Sequence, residues 1–387
     1  MKKLIFGFAG LFFLAISIQS CGDKVEETFM DYTDEEYAII SKRLNLPSEV
    51  FDYSTDFAEN FFINHIGEQN IQSRRVDHKA TLGRVLFYDT KLSINESISC
   101  ASCHKQDLAF ADDVAFSEGF DGRLTTRNSL PLGNTIGFET AYGGSGGSLF
   151  SWDESNEDIA SQSKAAIISE IEMGLDMNTL VDRVQKDDIY PILFTKVYGD
   201  DNILQHRILE AIEEFVNSIS SSESKFDHET MKEGSEVFKD YAGFTEEENI
   251  GKNIYLLNCA SCHSFDHQLT SMAVANNGLD LEYEDKGIGG RTSQSSDNGV
   301  FKVPFLRNIE LTGPFMHDGR FETLRDVINH YSDGIMDHPN LSQDLKAGNQ
   351  PKKMNFTEEE KISLEAYLRT LTDTQLMADV RFADPFK

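Results

Sequence analysis

Cysteine and tryptophan are scarce in this chain of 387 residues, which contains five cysteines and a single tryptophan. Four of the cysteines fall in two copies of the pentapeptide CASCH, at residues 100–104 and 259–263, and the fifth is Cys21. No cysteine is therefore left over for structural disulfides.

Basic residues are also few, since 35 lysines and arginines oppose 65 acidic residues and the formal net charge is −30. Nucleic acid is excluded as a partner because binding it requires a basic face. The charge can serve solubility or attract a basic redox protein.

Long apolar runs are absent from most of the sequence, but residues 4–18 form one directly after Lys2 and Lys3. This run is shorter than the about 20 residues that a membrane span requires, and it fits the core of an export signal. Because it leads to Ile-Gln-Ser-Cys, it resembles a bacterial lipoprotein signal. Residues 1–20 are then removed, and Cys21 carries the lipid that anchors the protein in the periplasm. Ordinary cleavage, with Cys21 left as a free thiol, is the alternative.

The length of the chain favours two domains, since a single hydrophobic core usually serves fewer residues. Leu82-Gly83-Arg84 precedes the first CASCH motif as Ile250-Gly251-Lys252 precedes the second, each on a predicted amphipathic helix. Apolar residues at helical spacing recur at 203–219 and 362–371 and predict a closing helix in each half. We expect a mainly α fold with an acidic extension over 21–67, domains over 68–228 and 234–375 joined by a polar linker, and a tail over 376–387.

The CASCH motif is an attachment sequence for c-type haem. Its two thiols can form thioether bonds with the vinyl groups of the porphyrin, and the adjacent histidine can ligate the iron. Zinc would need four ligands close together, whereas the two copies are far apart in sequence. A redox dithiol would not need the histidines. The sequence therefore predicts two covalently bound haems, with the cofactor-binding residues Cys100, Cys103, His104, Cys259, Cys262 and His263.

Several further stretches carry a resemblance to a known family. They are Phe110-Ala111-Asp112, Arg127-Asn128-Ser129, Ser151-Trp152-Asp153, Gln162, Glu172-Met173-Gly174 and the segment VPFLRNIELTGPFMHDGRFETLRDVINHY at 303–331. With them, residues 68–375 resemble the bacterial di-haem cytochrome c peroxidases and the di-haem enzymes of methylamine utilisation. The resemblance implies two c-type cytochrome domains in tandem. It also implies that peroxide reacts at the N-terminal haem while the C-terminal haem takes in electrons.

The resemblance assigns roles to residues around the first haem. His104 would be the proximal ligand, and Glu172 would carry a proton between the two peroxide oxygens, with Gln162 beside it in the distal pocket. Ten residues of continuous helix would separate Gln162 from Glu172 by about 15 Å. We therefore expect the helix to end before Glu172, at a break that Gly174 favours. Without the resemblance, both side chains would be interpreted as solvated residues of an acidic surface helix.

The same resemblance implies a role for Trp152 and a calcium site. Trp152 would lie between the haems and carry an electron across the gap, which is compatible with packing at the domain interface. Calcium would be bound between the domains by the side chain of Asn128 and the backbone carbonyls of Thr312 and Pro314, and oxygen donors suit this cation. None of these residues is a carboxylate, so their chemistry alone does not predict the site.

Two departures from the peroxidase pattern concern the iron ligands. Many of these peroxidases cap the first iron with the histidine of a Gly-His-x-Gly loop, but residues 119–122 read Gly-Phe-Asp-Gly. Because Phe120 cannot bind iron, we expect a five-coordinate first haem. Position 331, where the peroxidases have a methionine ligand, is a tyrosine, as in the methylamine-utilisation enzymes. Tyr331 is therefore the first candidate for the distal ligand of the second haem, Met316 is the alternative, and the weaker candidates are Met336 and His330.

The leading functional prediction is reduction of hydrogen peroxide to water at the first haem, with electrons from a small c-type cytochrome or similar donor passing through the second. An alternative is peroxide-dependent oxidation of a protein or organic substrate, as the methylamine-utilisation enzymes perform. A third is a non-enzymatic di-haem electron-transfer lipoprotein. The family is typically dimeric, so a homodimer is also implied, although no surface stripe in the sequence indicates one.

Overall fold

A computed structural model describes residues 32–53, 74–135, 150–233, 236–265 and 270–387. In these ranges the structure is mainly helical, which confirms the predicted class. The α-helices are α1 Asp34–Ile40, α2 Arg74–Tyr88, α3 Cys100–Cys103, α4 Ile159–Ile168, α5 Met177–Gln185, α6 Tyr190–Tyr198, α7 Gln205–Ser218, α8 Lys225–Glu233, α9 Glu246–Asn258, α10 Ala260–His263, α11 Ile288–Thr292, α12 Leu324–Asn329, α13 Glu358–Arg369 and α14 Thr374–Ala378.

Short elements complete the described part of the chain. Two antiparallel pairs of strands are present, β1 Val274–Ala275 with β2 Phe301–Lys302 and β3 Lys346–Ala347 with β4 Gln350–Pro351. A π-helical turn, His330–Gly334, continues α12. The 3-10 turns are Thr90–Leu92, Gln106–Leu108, Ser295–Asp297 and Gln343–Leu345.

Local capping chemistry fixes where two of the predicted helices begin. At the start of α9, Glu248 N–H donates to Thr245 Oγ1 over 3.1 Å and Thr245 N–H donates to the Glu248 carboxylate over 2.7 Å. Thr357 and Glu360 form the same reciprocal box at the start of α13. Both boxes satisfy backbone donors that a helix N-terminus leaves free.

The two halves repeat one helix pair around a glycine. A Cβ on Gly83 of α2 would overlap the carbonyl of Ala211 in α7 and lie 2.8 Å from Cβ of Phe215. A Cβ on Gly251 of α9 would overlap the carbonyl of Ser363 in α13 and lie 2.8 Å from Cβ of Tyr367. In each half the leading helix thus approaches the closing helix so closely that only glycine fits. The predicted correspondence between the two leading helices is confirmed.

Two large hydrophobic clusters lie within the compact unit from Asp31 to Lys387. The first is built on the α2–α7 pair and the second on the α9–α13 pair. Ile40 and Leu44 of the acidic extension are buried in the first cluster, and so are Leu376 and Phe382 from the segment predicted as a tail. Both termini of the described chain therefore pack on the first core, which the sequence patterns did not predict.

The segment that joins the halves is held by buried polar contacts. Ser221 exchanges two hydrogen bonds with the side chain of Asn134, at 2.6 and 3.0 Å. Asp227 in α8 forms a fully buried ion pair with Arg307. Because buried polar groups need partners, these contacts fix the path of the chain between the two cores.

The predicted signal over residues 1–20 and Cys21 lie outside the described residues. Among the residues that the structure does describe, none belongs to a helix long and apolar enough to cross a membrane.

Candidate functional site

A cavity of about 550 Å³ brings together the functional residues predicted in the first half of the chain. Its volume lies in the range of about 300–1,000 Å³ that is usual for small-molecule and cofactor sites. Lys302, Pro304 and Phe305 from the second half also line it. The predicted residues on its wall are Cys100, Cys103, His104, Asn128, Trp152, Gln162 and Glu172.

His104 is held in the orientation that an iron ligand requires. Its Nδ1 lies 2.9 Å from the carbonyl oxygen of Phe110, to which it donates, so Nε2 is left as the ligand atom. Ala109 and Phe110 both have left-handed backbones, with φ of 52° and 61°, and the tight turn that they make carries this carbonyl. Burial lowers the pKa of His104 and keeps the imidazole neutral, the form that binds metal.

The thiols beside His104 are free and partly buried. Burial raises the pKa of Cys100 to about 12 and also raises the pKa of Cys103, so both are neutral thiols. In the described part of the chain, no group of three or more His, Cys, Asp or Glu side chains is arranged to hold a metal ion. Two free thiols and one neutral histidine on the wall of a large cavity fit a covalently attached haem.

The chain folds back sharply after α4 and brings Glu172 to the same cavity as Gln162. The helix ends at Ile168, Gly174 has φ of 69°, and its N–H donates to the Ser169 carbonyl over 2.8 Å. The predicted break before Glu172 is confirmed. Burial raises the pKa of Glu172, and a hydrogen bond with Ser169 only partly offsets that effect. Glu172 is thus a carboxyl that can hold a proton above the usual range.

Gln162 is oriented by two residues that sequence reasoning did not single out as functional. Its Oε1 accepts hydrogen bonds from the Ser151 hydroxyl and, over 2.6 Å, from Asn156 Nδ2. With its oxygen engaged in this way, the amide retains its two N–H donors. Ser151 belongs to a stretch that carried the family resemblance, whereas an isolated asparagine such as Asn156 offers no local signal.

Phe120 lies in the loop where related peroxidases place a capping histidine. Its backbone N–H donates to the Glu172 carbonyl over 2.9 Å, and its own carbonyl accepts from Asn95 Nδ2 over 2.7 Å. Its ring lies against Gly174, since a Cβ there would be 2.5 Å from Phe120 Cε1. Gly119 lines the cavity but the Phe120 ring does not. The loop therefore contacts the Glu172 turn from outside the cavity.

Trp152 is connected to the proximal histidine of the first site. Its indole N–H donates to the Asn128 carbonyl over 2.8 Å. The next residue, Ser129, donates its hydroxyl to the Cys103 carbonyl over 2.9 Å and lies 3.3 Å from Nδ1 of His104. Two hydrogen-bonded contacts and one peptide unit thus join the indole to the imidazole.

Trp152 is connected just as closely to the second half. The backbone N–H of Lys302 donates to its carbonyl over 2.8 Å. Two residues later, the carbonyl of Pro304 accepts a 2.9 Å hydrogen bond from Nδ1 of His263. The rings of Trp152 and His317 form a T-shaped pair with centroids 6.4 Å apart. Trp152 therefore contacts both halves and is linked to both predicted proximal ligands.

The second CASCH motif repeats the arrangement of the first. His263 donates Nδ1–H to a backbone carbonyl, and burial lowers its pKa. Burial raises the pKa of Cys259 to about 12 and also raises that of Cys262. The residues around the second motif therefore also suit a haem with histidine as proximal ligand.

The predicted distal candidates of the second site differ in position. Tyr331 lies in the π-helical turn, where burial raises its pKa to about 12 and the Cys259 and Cys262 thiols are close enough to raise it further. Met316 Sδ accepts a 3.5 Å hydrogen bond from Asn277 Nδ2. Met336 is 43% exposed and lies on the surface. Tyr331 is the candidate near the attachment cysteines.

His330 and the predicted calcium residues complete the set. His330 Nε2 lies 3.1 Å from the carbonyl of Asn277, so that nitrogen is engaged.

Asn128 N–H donates to the His317 carbonyl over 2.7 Å, and its Nδ2 donates to Val114 O over 3.1 Å. Asn128 therefore contacts the loop that also carries Thr312 and Pro314. Calcium at this place stays a prediction.

Comparison with known proteins agrees with this geometry. A family described as "Di-haem cytochrome c peroxidase" matches residues 77–235. The chain is 29% identical over 303 residues to methylamine utilization protein MauG of Methylophilus methylotrophus, covering 76% of this chain and 82% of that protein. It is 29% identical over 301 residues to cytochrome c551 peroxidase of Nitrosomonas europaea, covering 76% and 80%.

A solved structure extends the likeness to the fold. The crystal structure of a MauG-like protein associated with microbial copper homeostasis aligns with a TM-score of 0.68 at 31% identity, covering 80% of this chain and 93% of that one. The family description specifies two haems, in agreement with two CASCH motifs, and its named members include peroxidases, which are oxidoreductases. The chain therefore belongs to the di-haem cytochrome c peroxidase family.

Proposed function

We propose that this protein reduces hydrogen peroxide to water at the site of the first CASCH motif, with electrons from a small c-type cytochrome or similar donor that enter at the second. The observation that carries the proposal is the cavity shared by neutral His104, half-buried Glu172 and oriented Gln162. When bound there, the haem supplies an iron that exchanges electrons with peroxide. The residues of the chain supply binding, orientation and proton transfer.

Glu172 is the group that moves the proton. Its carboxylate accepts a proton from the oxygen of the incoming peroxide and returns it to the departing oxygen, which leaves as water. The hydrogen bond from Ser169 and burial in the cavity wall hold the carboxyl in place. The amide N–H groups of Gln162 can donate to a peroxide oxygen and orient it, because Ser151 and Asn156 already engage the amide oxygen.

Trp152 is the proposed electron route between the two sites. Electron transfer between cofactors benefits from a continuous path of bonds and hydrogen bonds. The indole is linked to His104 through Asn128 and Ser129, and its carbonyl is linked to His263 through the segment 302–304. A purely structural Trp152 at the interface would make the same contacts, so its role is decided by measured rates.

The activity test compares Glu172→Gln with Glu170→Gln, an exposed neighbour in the same turn. Both purified holo-proteins are given peroxide and a reduced c-type cytochrome. We expect Glu172→Gln to retain both haems and lose about 10²–10⁴-fold in turnover, the usual contribution of a general acid–base, while Glu170→Gln keeps wild-type turnover. Wild-type protein that consumes no peroxide would leave the electron-transfer lipoprotein as the explanation.

A second candidate function is peroxide-dependent oxidation of a protein or organic substrate. Two observations favour it: Tyr331 lies near the second pair of attachment cysteines, and Phe120 stands where a capping histidine would be. The same assay separates the two functions. Peroxide loss that requires an added protein or organic reductant, and that leaves the cytochrome reduced, would support this second candidate over the first.

The remaining predictions concern location and accessory groups. Export to the periplasm with lipid on Cys21 is tested by mass spectrometry of the mature N-terminus, and Cys21→Ser should release the protein from the membrane fraction. Calcium bound by Asn128, Thr312 and Pro314 should appear in metal analysis of the purified protein and disappear on chelation. Sedimentation of the holo-protein decides between monomer and homodimer.

A further inference from the structure

The C-terminal segment, residues 376–387, packs on the half of the chain that carries the first CASCH motif. Its Phe382 is buried in the first hydrophobic cluster. The Phe382 ring meets the edge of the Phe110 ring with centroids 6.5 Å apart, and it lies 6.2 Å from the ring of Phe215. Phe87, which lines the cavity, closes the group with centroids 6.1 Å from Phe110 and 5.2 Å from Phe215. The C-terminal segment therefore supplies one of four rings in mutual contact, named here the phenylalanine cluster.

One member of the phenylalanine cluster is the residue that orients the first proximal ligand. The Phe110 carbonyl accepts a 2.9 Å hydrogen bond from Nδ1 of His104. Ala109 and Phe110 are consecutive non-glycine residues with left-handed backbones, and such conformations persist only where the surrounding structure holds them. The N–H of Phe110 closes the turn by donating to the Lys105 carbonyl over 2.8 Å. Because the Phe110 ring is fully buried, its packing in the cluster fixes how this turn lies on the core.

Hydrogen bonds hold the C-terminal segment at Phe382 and just before it. The Tyr88 hydroxyl, at the end of α2, donates to the Phe382 carbonyl over 2.7 Å. Gln106 Nε2 donates to the Asp379 carbonyl over 2.8 Å. Gln106 follows His104 by two residues in the sequence, so the segment is bonded directly to the stretch that carries the proximal ligand. These contacts fix the position of the Phe382 ring relative to the turn.

The hydrogen bond at Nδ1 determines how strongly His104 donates electrons to a bound iron. A carbonyl that accepts from Nδ1–H raises the basicity of the imidazole. A more basic ligand favours the ferric state, so it lowers the reduction potential of the haem and strengthens the bond between iron and histidine. If the Phe110 carbonyl moves away from Nδ1, both effects become smaller. The Ser129 hydroxyl, 3.3 Å from the same nitrogen, then remains as the longer contact.

We propose that Phe382 is a positioning residue for His104 and thereby helps to set the reduction potential of the first haem. It acts through Phe110: the Phe382 ring supports the Phe110 ring, and the Phe110 carbonyl holds the imidazole. The proposal rests on haem attachment at Cys100 and Cys103, which the proposed function also requires, but it does not depend on peroxide turnover. The end of the chain, which follows the second haem-binding half, thus supports the proximal side of the first haem.

The main test replaces Phe382 by Leu in the full-length holo-protein. Leucine keeps the site apolar but removes the aromatic ring that supports Phe110. We expect the midpoint potential of the first haem to rise and the iron–histidine stretching band of the ferrous protein, measured by resonance Raman spectroscopy, to move to lower frequency. The second haem should keep its wild-type potential. Phe194→Leu is the control, because Phe194 is as deeply buried in the same hydrophobic cluster but its ring stacks on Tyr198, with centroids 5.8 Å apart.

A gentler variant, Tyr88→Phe, tests the same support without removing a ring. It deletes only the hydroxyl that donates to the Phe382 carbonyl, so we expect a smaller shift of the first haem in the same direction. Tyr198→Phe is the matched control, since the Tyr198 hydroxyl also donates to a backbone carbonyl, that of Arg207, over 3.0 Å. Both controls should lower the melting temperature and leave the potential and the stretching band of the first haem unchanged.

The proposal is overturned if Phe382→Leu shifts the first haem no more than Phe194→Leu does, or if the potentials of both haems shift equally, which would indicate general loosening of the fold. Should Phe382→Leu fail to fold, Tyr88→Phe decides the question: a first haem that matches that of Tyr198→Phe rejects the role of Phe382. Absence of peroxide turnover, with the potentials and spectra as expected, would count against the proposed function alone.

Discussion

The backbone carbonyl of Trp152 accepts a 2.8 Å hydrogen bond from the backbone N–H of Lys302. This contact ties the loop that carries the single tryptophan to the strand that leads to Pro304, whose carbonyl holds His263. The indole of the same residue is bonded to Asn128, next to the serine that meets His104. The backbone and the side chain of one residue thus connect the two haem-binding halves.

Replacing Trp152 by Phe should slow electron transfer between the haems while both remain attached. The backbone contact with Lys302 survives, but the indole N–H to Asn128 is lost, at a cost to stability of about 1 kcal/mol. The protein is rapidly mixed with a donor that reduces the second haem, and the rate at which the first haem then becomes reduced is measured. An unchanged rate in a fully folded variant would assign Trp152 to packing alone.

Ser129→Ala should weaken the first site through the support of its ligand. The substitution removes the hydroxyl that contacts His104 Nδ1 and the Cys103 carbonyl, while the Phe110 carbonyl still holds the imidazole. Loss of an outer-shell partner typically costs about 10–100-fold in activity or metal affinity. We expect turnover to fall towards the lower end of that range, with a shifted potential of the first haem only. Ser163→Ala serves as the control, since Ser163 lines the same cavity but is not a hydrogen-bond partner of His104.

The fall in kcat/KM on the acidic side of the pH profile should result from protonation of Glu172. Burial raises the pKa of this carboxyl above its ordinary value of 4.5. As the pH falls through the raised pKa, Glu172 becomes protonated and can no longer accept a proton from peroxide, so kcat/KM should fall on the acidic side. This fall should be missing from the residual activity of Glu172→Gln and unchanged in Glu170→Gln.

The contribution of Glu172 to the free energy of unfolding should change with pH in the opposite direction to its contribution to activity. A carboxyl whose pKa is raised in the folded state binds a proton more tightly there than in the unfolded chain, so its contribution to stability is greatest below the ordinary pKa and is lost as the pH rises through the raised pKa. Near neutral pH, Glu172→Gln should therefore be slightly more stable than the wild type in thermal denaturation. A less stable variant would mean that the charged carboxylate is well paired in the folded protein.

Much of the architecture could be predicted because its signals are local. Thr245 with Glu248 marks the start of α9 within four residues of sequence, and the Gly83 and Gly251 segments reveal the repeated helix pair by direct likeness. The attachment cysteines and histidines are likewise adjacent in sequence. Helices α5 and α6 were not predicted, although both are buried along one side.

The parts that could not be predicted depend on contacts between distant residues. Leu44 pairs with Phe386 in an isolated bridge, and neither residue belongs to a periodic pattern that would indicate it. Asn277 is one of many asparagines, and only the fold brings its side chain to the sulfur of Met316. The approach of Gln162 to Glu172 was expected from family resemblance, and helical spacing alone argued against it.

Gly119→Ala should disturb the distal side of the first site. A Cβ at this position would overlap the Ile171 carbonyl and lie 3.2 Å from the Glu172 carbonyl, so the turn that carries Glu172 must move. Overpacking of this kind costs about 1–3 kcal/mol. We expect a lower melting temperature and reduced turnover with unchanged spectra of the second haem. Gly122→Ala is the comparison variant in the same loop, where only the Glu118 side chain lies within reach of a Cβ, at 3.6 Å. Its φ of 85° adds left-handed backbone strain that Gly119→Ala does not have, so it tests the effect of a strained loop without a clash at the Glu172 turn. Equal turnover in the two variants would show that packing of Gly119 against the turn does not determine how Glu172 functions.

Alanine at Gly83 or Gly251 should force apart the helix pair of one half. Either new Cβ would overlap a backbone carbonyl of the closing helix, that of Ala211 or that of Ser363, and neither carbonyl can rotate away. We expect each variant to lose about 1–3 kcal/mol of stability, as overpacking does. Gly83→Ala should change mainly the absorption of the first haem, and Gly251→Ala mainly that of the second.

Gly290→Ala is the matched control for these two substitutions. Gly290 lies in α11, and the nearest heavy atom to a Cβ there is 3.9 Å away, so no backbone has to move. Removal of a helical glycine then stabilises by up to about 1 kcal/mol. Thermal denaturation followed by far-ultraviolet circular dichroism compares the three variants. If Gly83→Ala and Gly251→Ala melt no lower than Gly290→Ala, the two helices of each pair are not in the close contact described.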